Sequence, residues 1–214
     1  MEFDMRELPL AQRYKILGST ITPRPIAWVT SISAAGVVNA APFSFFNCVG
    51  VEPPLIVLGL LRDLKTGRMK DTANNLHATG EFTVNLVCEG DASVMNESSA
   101  AAPAEVSEVD YAGIATVPSS LVAPPRIGTS PVSFECRVHQ LTDIGMQTVV
   151  LGEVLVAHIA DKFIADREKL YFDTPAMKLI ARTHGAGWYV RGSDSFLMER
   201  PAYDAERLRE VDGG

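Results

Sequence analysis

The sequence predicts a mainly β fold: an antiparallel β-barrel, closed or partly closed, with helices inserted between its strands. Three observations carry that expectation. Short apolar and β-branched runs bounded by turn residues recur along the chain, as in Pro25 to Ser33, Leu55 to Leu61 and Glu81 to Val87. Helical stretches are few and interrupt the strands rather than alternating with them, which disfavours a doubly wound parallel sheet. The 214 residues, 47% hydrophobic and 21% charged, suffice for one sizeable core, so residues 1–214 are read as a single domain with a short N-terminal extension and a polar C-terminal tail.

The elements follow in order. Pro25 to Ser33 is a strand, Ala34-Ala35-Gly36 turns the chain, and Val37 to Ala41 returns it as the second arm of a hairpin. Pro42 interrupts the return arm, which marks an edge or a bulge, and Phe43-Ser44-Phe45-Phe46 follows at once. Leu55 to Leu61 is apolar enough for a fully buried strand. Arg62 to Lys70 is a polar, basic loop; a helix then runs to Thr79 with Asp71 or Thr72 as its N-cap, and Gly80 closes it. Glu81 to Val87 alternates as a strand, with Phe82, Val84 and Leu86 on one side. Asp91 to Val109 is loosely helical, broken by Pro103, and reads as a mobile or partner-facing excursion. Strands return at Thr116 to Val122, Val132 to Leu141 and Thr148 to Ile159, the last two joined by a turn through Asp143 and Gly145. Ala165 to Leu170 reads as a short helix, and the tail from Asp194 lacks apolar periodicity.

Composition narrows the function classes. A net charge of −7 argues against non-specific nucleic-acid binding, which needs a basic surface. No apolar run approaches the roughly 20 residues that cross a bilayer, and the N-terminus lacks the order of a signal peptide, so no membrane role and a cytoplasmic location are expected. Cys48, Cys88 and Cys136 form no C-x-x-C pair and read as reduced, buried thiols. His77, His139, His158 and His184 show no metal-ligand spacing, so no metal is expected, and His77 and His158 read as structural. Neither a G-x-G-x-x-G turn nor a P-loop is present.

Two stretches bear on chemistry. Arg62, Lys65, Arg68 and Lys70 crowd one loop just ahead of a helix, with Thr66 and Thr72 as hydroxyl donors. A helix N-terminus flanked by cations suits a phosphate dianion; a solvated loop explains the same charges equally well. In Asn39-Ala40-Ala41-Pro42-Phe43-Ser44-Phe45-Phe46-Asn47, small residues admit a flat ligand to the backbone and phenylalanines wall it, although a packed core corner has the same composition. A phosphate site and a planar-ring site together describe a mononucleotide.

Taken in order, Thr22-Pro23-Arg24-Pro25-Ile26-Ala27-Trp28-Val29-Thr30-Ser31, the Asn39 to Asn47 stretch, Pro53-Pro54-Leu55, Lys70-Asp71-Thr72-Ala73-Asn74-Asn75-Leu76 and Glu81-Phe82 with Val84-Asn85 resemble the flavin-reductase-like family, whose fold is the FMN-binding split barrel. The likeness runs from Thr22 to Val87, weakens in the middle, and resumes at Arg182-Thr183-His184-Gly185-Ala186-Gly187-Trp188-Tyr189, which departs from the family's closing pattern at Thr183-His184. The resemblance implies a homodimer with FMN near the subunit interface. It implies that Thr30, Ser31, Ala41, Pro42, Ser44, Phe45 and Asn47 hold the ring system, that Arg62, Lys70 and Thr72 with Lys65 and Thr66 hold the phosphate, and that His184, with Trp188, approaches the flavin or substrate. The activity implied is NAD(P)H-dependent flavin reduction, with NADH or NADPH as donor and an oxygenase or another electron-accepting partner. Direct action on an organic or ferric substrate, electron carriage, and a non-catalytic flavin-binding module are the rivals.

Overall fold

The computed structural model describes residues 1–203. In chain order it holds α1 (Leu10–Thr20), β1 (Arg24–Pro25), β2 (Ala27–Ile32), β3 (Val38–Phe43), β4 (Phe46–Val51), β5 (Pro54–Leu61), α2 (Asp71–Thr79), β6 (Glu81–Leu86), α3 (Ala92–Glu97), α4 (Glu108–Tyr111), β7 (Thr116–Val117), β8 (Arg126–Ile127), β9 (Val132–Ile144), β10 (Gln147–Ile159), β11 (Ile164–Asp166), β12 (Tyr171–Phe172), β13 (Ile180–Arg182) and β14 (Tyr189–Arg191). Seven strands form one antiparallel sheet in the order β3-β2-β6-β9-β10-β5-β4, and β1, β13 and β14 form a second, small one. Among the described residues no helix is long and apolar enough to cross a membrane.

The order of strands dictates the shape. β3 and β4 lie at opposite edges of the large sheet yet are consecutive in the chain, joined by Ser44 and Phe45 alone. In a flat sheet six interstrand spacings of about 4.8 Å would hold them roughly 29 Å apart. The chain from Phe43 to Phe46 reaches about 11 Å at most. The sheet must therefore roll until its edges meet, which makes the expected barrel, and the Gly59 N–H donates to the Phe45 carbonyl at 2.7 Å, extending the β4–β5 ladder into the connection.

Period-two alternation then sorts the core into two parts. On β2, Ala27 and Val29 face the barrel interior with Leu58, Phe82, Val84 and Val150, where Ala73 and Leu76 of α2 plug it. Trp28, one residue out of phase, faces outward with Ile26, Ala40, Val87 and Met95 into a second cluster beneath α3. β2 is buried on both faces because the polypeptide after β6 folds back over it.

Several expectations need correction. Residues 91–109 are helical only at their ends, in α3 and α4, with a mostly exposed stretch at 99–107, and the ends are anchored: Met95, Ser98 and Glu108 are buried, and the Trp28 indole donates to Ser98 Oγ at 2.9 Å. Three anchors hold a segment that has no apolar stripe. Leu55 to Leu61 is buried on one face only, through Ile56, Leu58 and Leu60. The helix expected at Ala165 to Leu170 is a hairpin, β11–β12, because Asp166 Oδ1 accepts the Glu168 and Lys169 N–H groups at 3.0 Å and reverses the chain. The strand from Thr116 stops at Val117 ahead of Pro118. Cys48 is exposed on the edge strand β4 rather than buried. The C-terminal tail from Asp194 lies partly outside the described residues.

Candidate functional site

Where the sheet's edges meet, a cavity of about 290 Å³ opens at the seam. Pro42, Phe43, Ser44 and Phe45 form its floor, because the β3–β4 join turns the chain there, and Gly59 of β5 adjoins them. A Cβ on Gly59 would lie 3.1 Å from the Phe45 Cβ, so glycine keeps the floor open. Tyr14 enters from α1, its ring 5.9 Å from that of Phe45, and Arg182 and Tyr189 enter from β13 and β14. The Arg182 guanidinium lies 4.8 Å from the Tyr189 ring centre. The lining carries two cations, Lys70 and Arg182, and no carboxylate, in a chain of net charge −7.

Arg24 assembles this end of the molecule. Its Nη1 donates to the Gly18 and Ile21 carbonyls at 2.6 Å, and its Nη2 to the Thr183 carbonyl at 3.2 Å. It thereby ties α1, which buries no residue of its own, to β1 and β13.

A second cavity of about 300 Å³ shares Pro42, Phe43, Lys70 and Ser99 with the first and runs to the start of α2, where Thr72 and Ala41 line it. Lys70, not Asp71 or Thr72, is the N-cap residue of α2, and no side chain caps the helix. The Thr72 hydroxyl instead donates to Asn39 Oδ1 at 2.8 Å. The first N–H groups of α2 and the positive end of its dipole are thus free for an anion beside Lys70.

Asn39 is the hub of this end. Its Nδ2 donates to Glu108 Oε2 at 2.9 Å, and the Ala40 N–H donates to the same oxygen at 3.4 Å. Glu108 is only 5% exposed. Burial pushes its carboxyl above the usual range, with Asp71 adding to the rise, while the bonds from Ala40 and Asn39 oppose it.

The structure brings Ala41, Pro42, Ser44, Phe45, Lys70 and Thr72 together on one groove. It does not bring the other expected residues there. Thr30 shares its hydroxyl with Thr83 and the Pro125 carbonyl, and Ser31 accepts from Asn75 Nδ2 at 3.0 Å; both are fully buried inside the fold. Asn47 caps the N–H of Cys48 at 2.8 Å on the exposed edge of the sheet. Arg62 points to Asp143, 3.5 Å away. Lys65 and Thr66 form a turn closed on Asp63 Oδ1, whose carboxyl the Thr66 N–H and hydroxyl and the Lys65 N–H hold below the usual range. His184 stacks on Trp188 at 5.7 Å outside the cavity lining, and its neighbours Arg182, Ala186 and Tyr189 reach the groove instead. Tyr14, Gly59, Glu108 and Arg182 are among the lining residues that sequence reasoning did not select. Arg182 stood in the quoted closing motif, whereas Glu108 had no local signal.

Known proteins match this arrangement. The model of the flavin reductase like domain matches residues 18–178. The chain is similar to nitrilotriacetate monooxygenase component B from Bacillus cereus, at 30% identity and a TM-score of 0.85, over 92% of this chain and 98% of that one. It is as similar to the 2-nitrobenzoate 2-nitroreductase of Pseudomonas fluorescens, again at 30% identity and 0.85, over 95% and 98%. A split barrel domain from Shewanella frigidimarina, 18% identical with a TM-score of 0.77 over 94% and 100%, shows the same fold. Matched along most of its length and rolled into a split barrel, the chain belongs to the flavin reductase like domain family.

Proposed function

We propose that the chain binds FMN in the seam groove and works as an NAD(P)H-dependent flavin reductase that passes reduced flavin or electrons to an acceptor. The observation that carries this reading is the continuity of the two cavities through Lys70. A phosphate-sized anion site at the start of α2 and an aromatic-walled slot over Gly59 are two ends of one groove, which is the outline of a mononucleotide with a planar base.

The residues present fit that group. Lys70, Thr72 and the uncapped N–H groups of α2 would hold the phosphate by charge-assisted bonds. Pro42, Ser44, Phe45 and the backbone of β3 would hold the ring system. FMN, when bound, supplies hydride acceptance and electron transfer. Ile26, Phe43 and Met95 keep water from the inner wall, and Arg24 fixes α1 so that Tyr14 stays over Phe45. The protein need only position two rings, so no side-chain nucleophile is required.

The same reading includes a homodimer. Val49 and Val51 on the edge strand β4 are 55% and 91% exposed, an apolar strip that a second copy would cover.

A second reading rests on the first cavity alone. With Lys70, Arg182 and aromatic walls but no carboxylate, it suits a planar organic anion reduced directly on the flavin. The two relatives at 30% identity divide between the readings, one a monooxygenase component and one a nitroreductase. An absorbance spectrum before and after anaerobic NADH or NADPH tests both. Flavin peaks that bleach support a reductase, and added nitrobenzoate that reoxidises them supports the second reading. Peaks absent even after reconstitution with FMN would overturn both.

A further inference from the structure

We propose that Glu108, together with Asp71, restricts the groove to a flavin mononucleotide by closing the phosphate end to a second phosphate; this rests on the flavin reading above. A dinucleotide must continue past the first phosphate with another anion and a nucleoside. Two stretches of cavity lining adjoin the start of α2. One belongs to a third cavity of about 210 Å³, which shares Asn39, Asp71 and Glu108 with the second. Its lining holds the carboxylates of Asp71 and Glu108 and no lysine or arginine. The other includes Asp63, whose carboxyl is held ionised by the turn it closes.

The charge balance changes along the groove. The ring end carries two cations and no acid, whereas the second cavity carries Lys70 against Asp63, Asp71 and Glu108. One phosphate is offset by Lys70 and the N–H groups of α2, and among the described residues no other lysine or arginine lines the second or third cavity to offset another. Glu108 is committed to this place: both bonds it receives, from Asn39 Nδ2 and the Ala40 N–H, end on Oε2. Glu108 lines both the second and the third cavity. Asp71 and the Glu108 carboxyl, held in place by two N–H donors against the cost of its burial, line both cavities and disfavour a second anion rather than contact one.

Dissociation constants for FMN, FAD and riboflavin, measured by flavin fluorescence on the full chain, test this with Glu108→Gln and Asp71→Asn. Gln retains an acceptor for Asn39 and Ala40, and Asp71 receives no side-chain bond among the described residues, so both variants should fold; thermal unfolding checks this. The native chain is expected to prefer FMN over FAD by at least about tenfold, and each variant to narrow that preference by about fivefold. Equal binding of FMN and FAD by the native chain, or a preference unmoved in both variants, overturns the inference and leaves the flavin reading standing. Failure of all three flavins to bind overturns the flavin reading and the inference with it.

Discussion

At the scale of single residues, the groove separates two cations that the sequence places in one loop. Lys70 lines both cavities at the uncapped start of α2, whereas Arg62 pairs with Asp143. Lys70→Ala should therefore weaken FMN binding by at least about tenfold through loss of a charge-assisted contact, and Arg62→Ala should leave it within about twofold. Fluorescence titration measures both, and the reverse order would return the phosphate to Arg62. The same contrast shows what was legible. Sequence spacing reveals that cations precede a helix, but not which of them the loop turns inward, because that depends on the Asp63 turn and on the distant Asp143. The Thr30 and Ser31 hydroxyls lie apart from the groove for a related reason: on a strand buried on both faces, a hydroxyl is spent on internal partners. Glu108 was invisible because its meaning lies in Asn39, 69 residues away.

At the scale of elements, strands with strong alternation were readable and their contacts were not. β2, β3, β6 and the β9–β10 hairpin fall close to their expected bounds. β4 was missed because its residues alternate weakly and lie exposed at an edge, and α1 because it buries nothing. Two tests belong here. Gly152 on β10 faces the interior, where an added Cβ would lie 2.4 Å from the Phe82 Cζ. Gly152→Ala should cost about 1 to 3 kcal/mol in urea unfolding, since the ring it meets is itself fully buried. Glu135 on β9 is wholly buried and accepts the Ser120 and Leu121 N–H groups and His158 Nε2, at 2.7, 2.6 and 2.6 Å. Burial alone would raise its carboxyl, but these bonds outweigh it and hold it below the usual range. A carboxyl lowered by folding stabilises above its unfolded value, and the contribution is lost as pH falls through the folded one. Stability should accordingly decline on acidification below the ordinary carboxylate range. Glu135→Gln should cost about 2 to 3 kcal/mol at neutral pH and flatten that decline.

At the scale of the whole molecule, closing the sheet joins β3 to β4 but does not pair them: the seam between them is the groove. The outer side of β4 consequently stays an unpaired edge, with Val49 and Val51 exposed and Cys48 beside them. Such an edge invites pairing with any other strand unless it is charged, short or covered, and β4 from Phe46 to Val51 carries no charged residue. A second copy is the partner that would cover it in every molecule. Sedimentation equilibrium at micromolar concentration should return twice the chain mass of 23.1 kDa. Val51→Lys, at a position 91% exposed and hence free of internal packing, should shift that mass toward the monomer while leaving the thermal transition of the barrel cooperative. Because the floor of the groove leads directly into β4, the same substitution should also weaken FMN binding if the second copy completes the site. A monomeric native chain, or a dimer indifferent to Val51→Lys, would move the interface away from this edge.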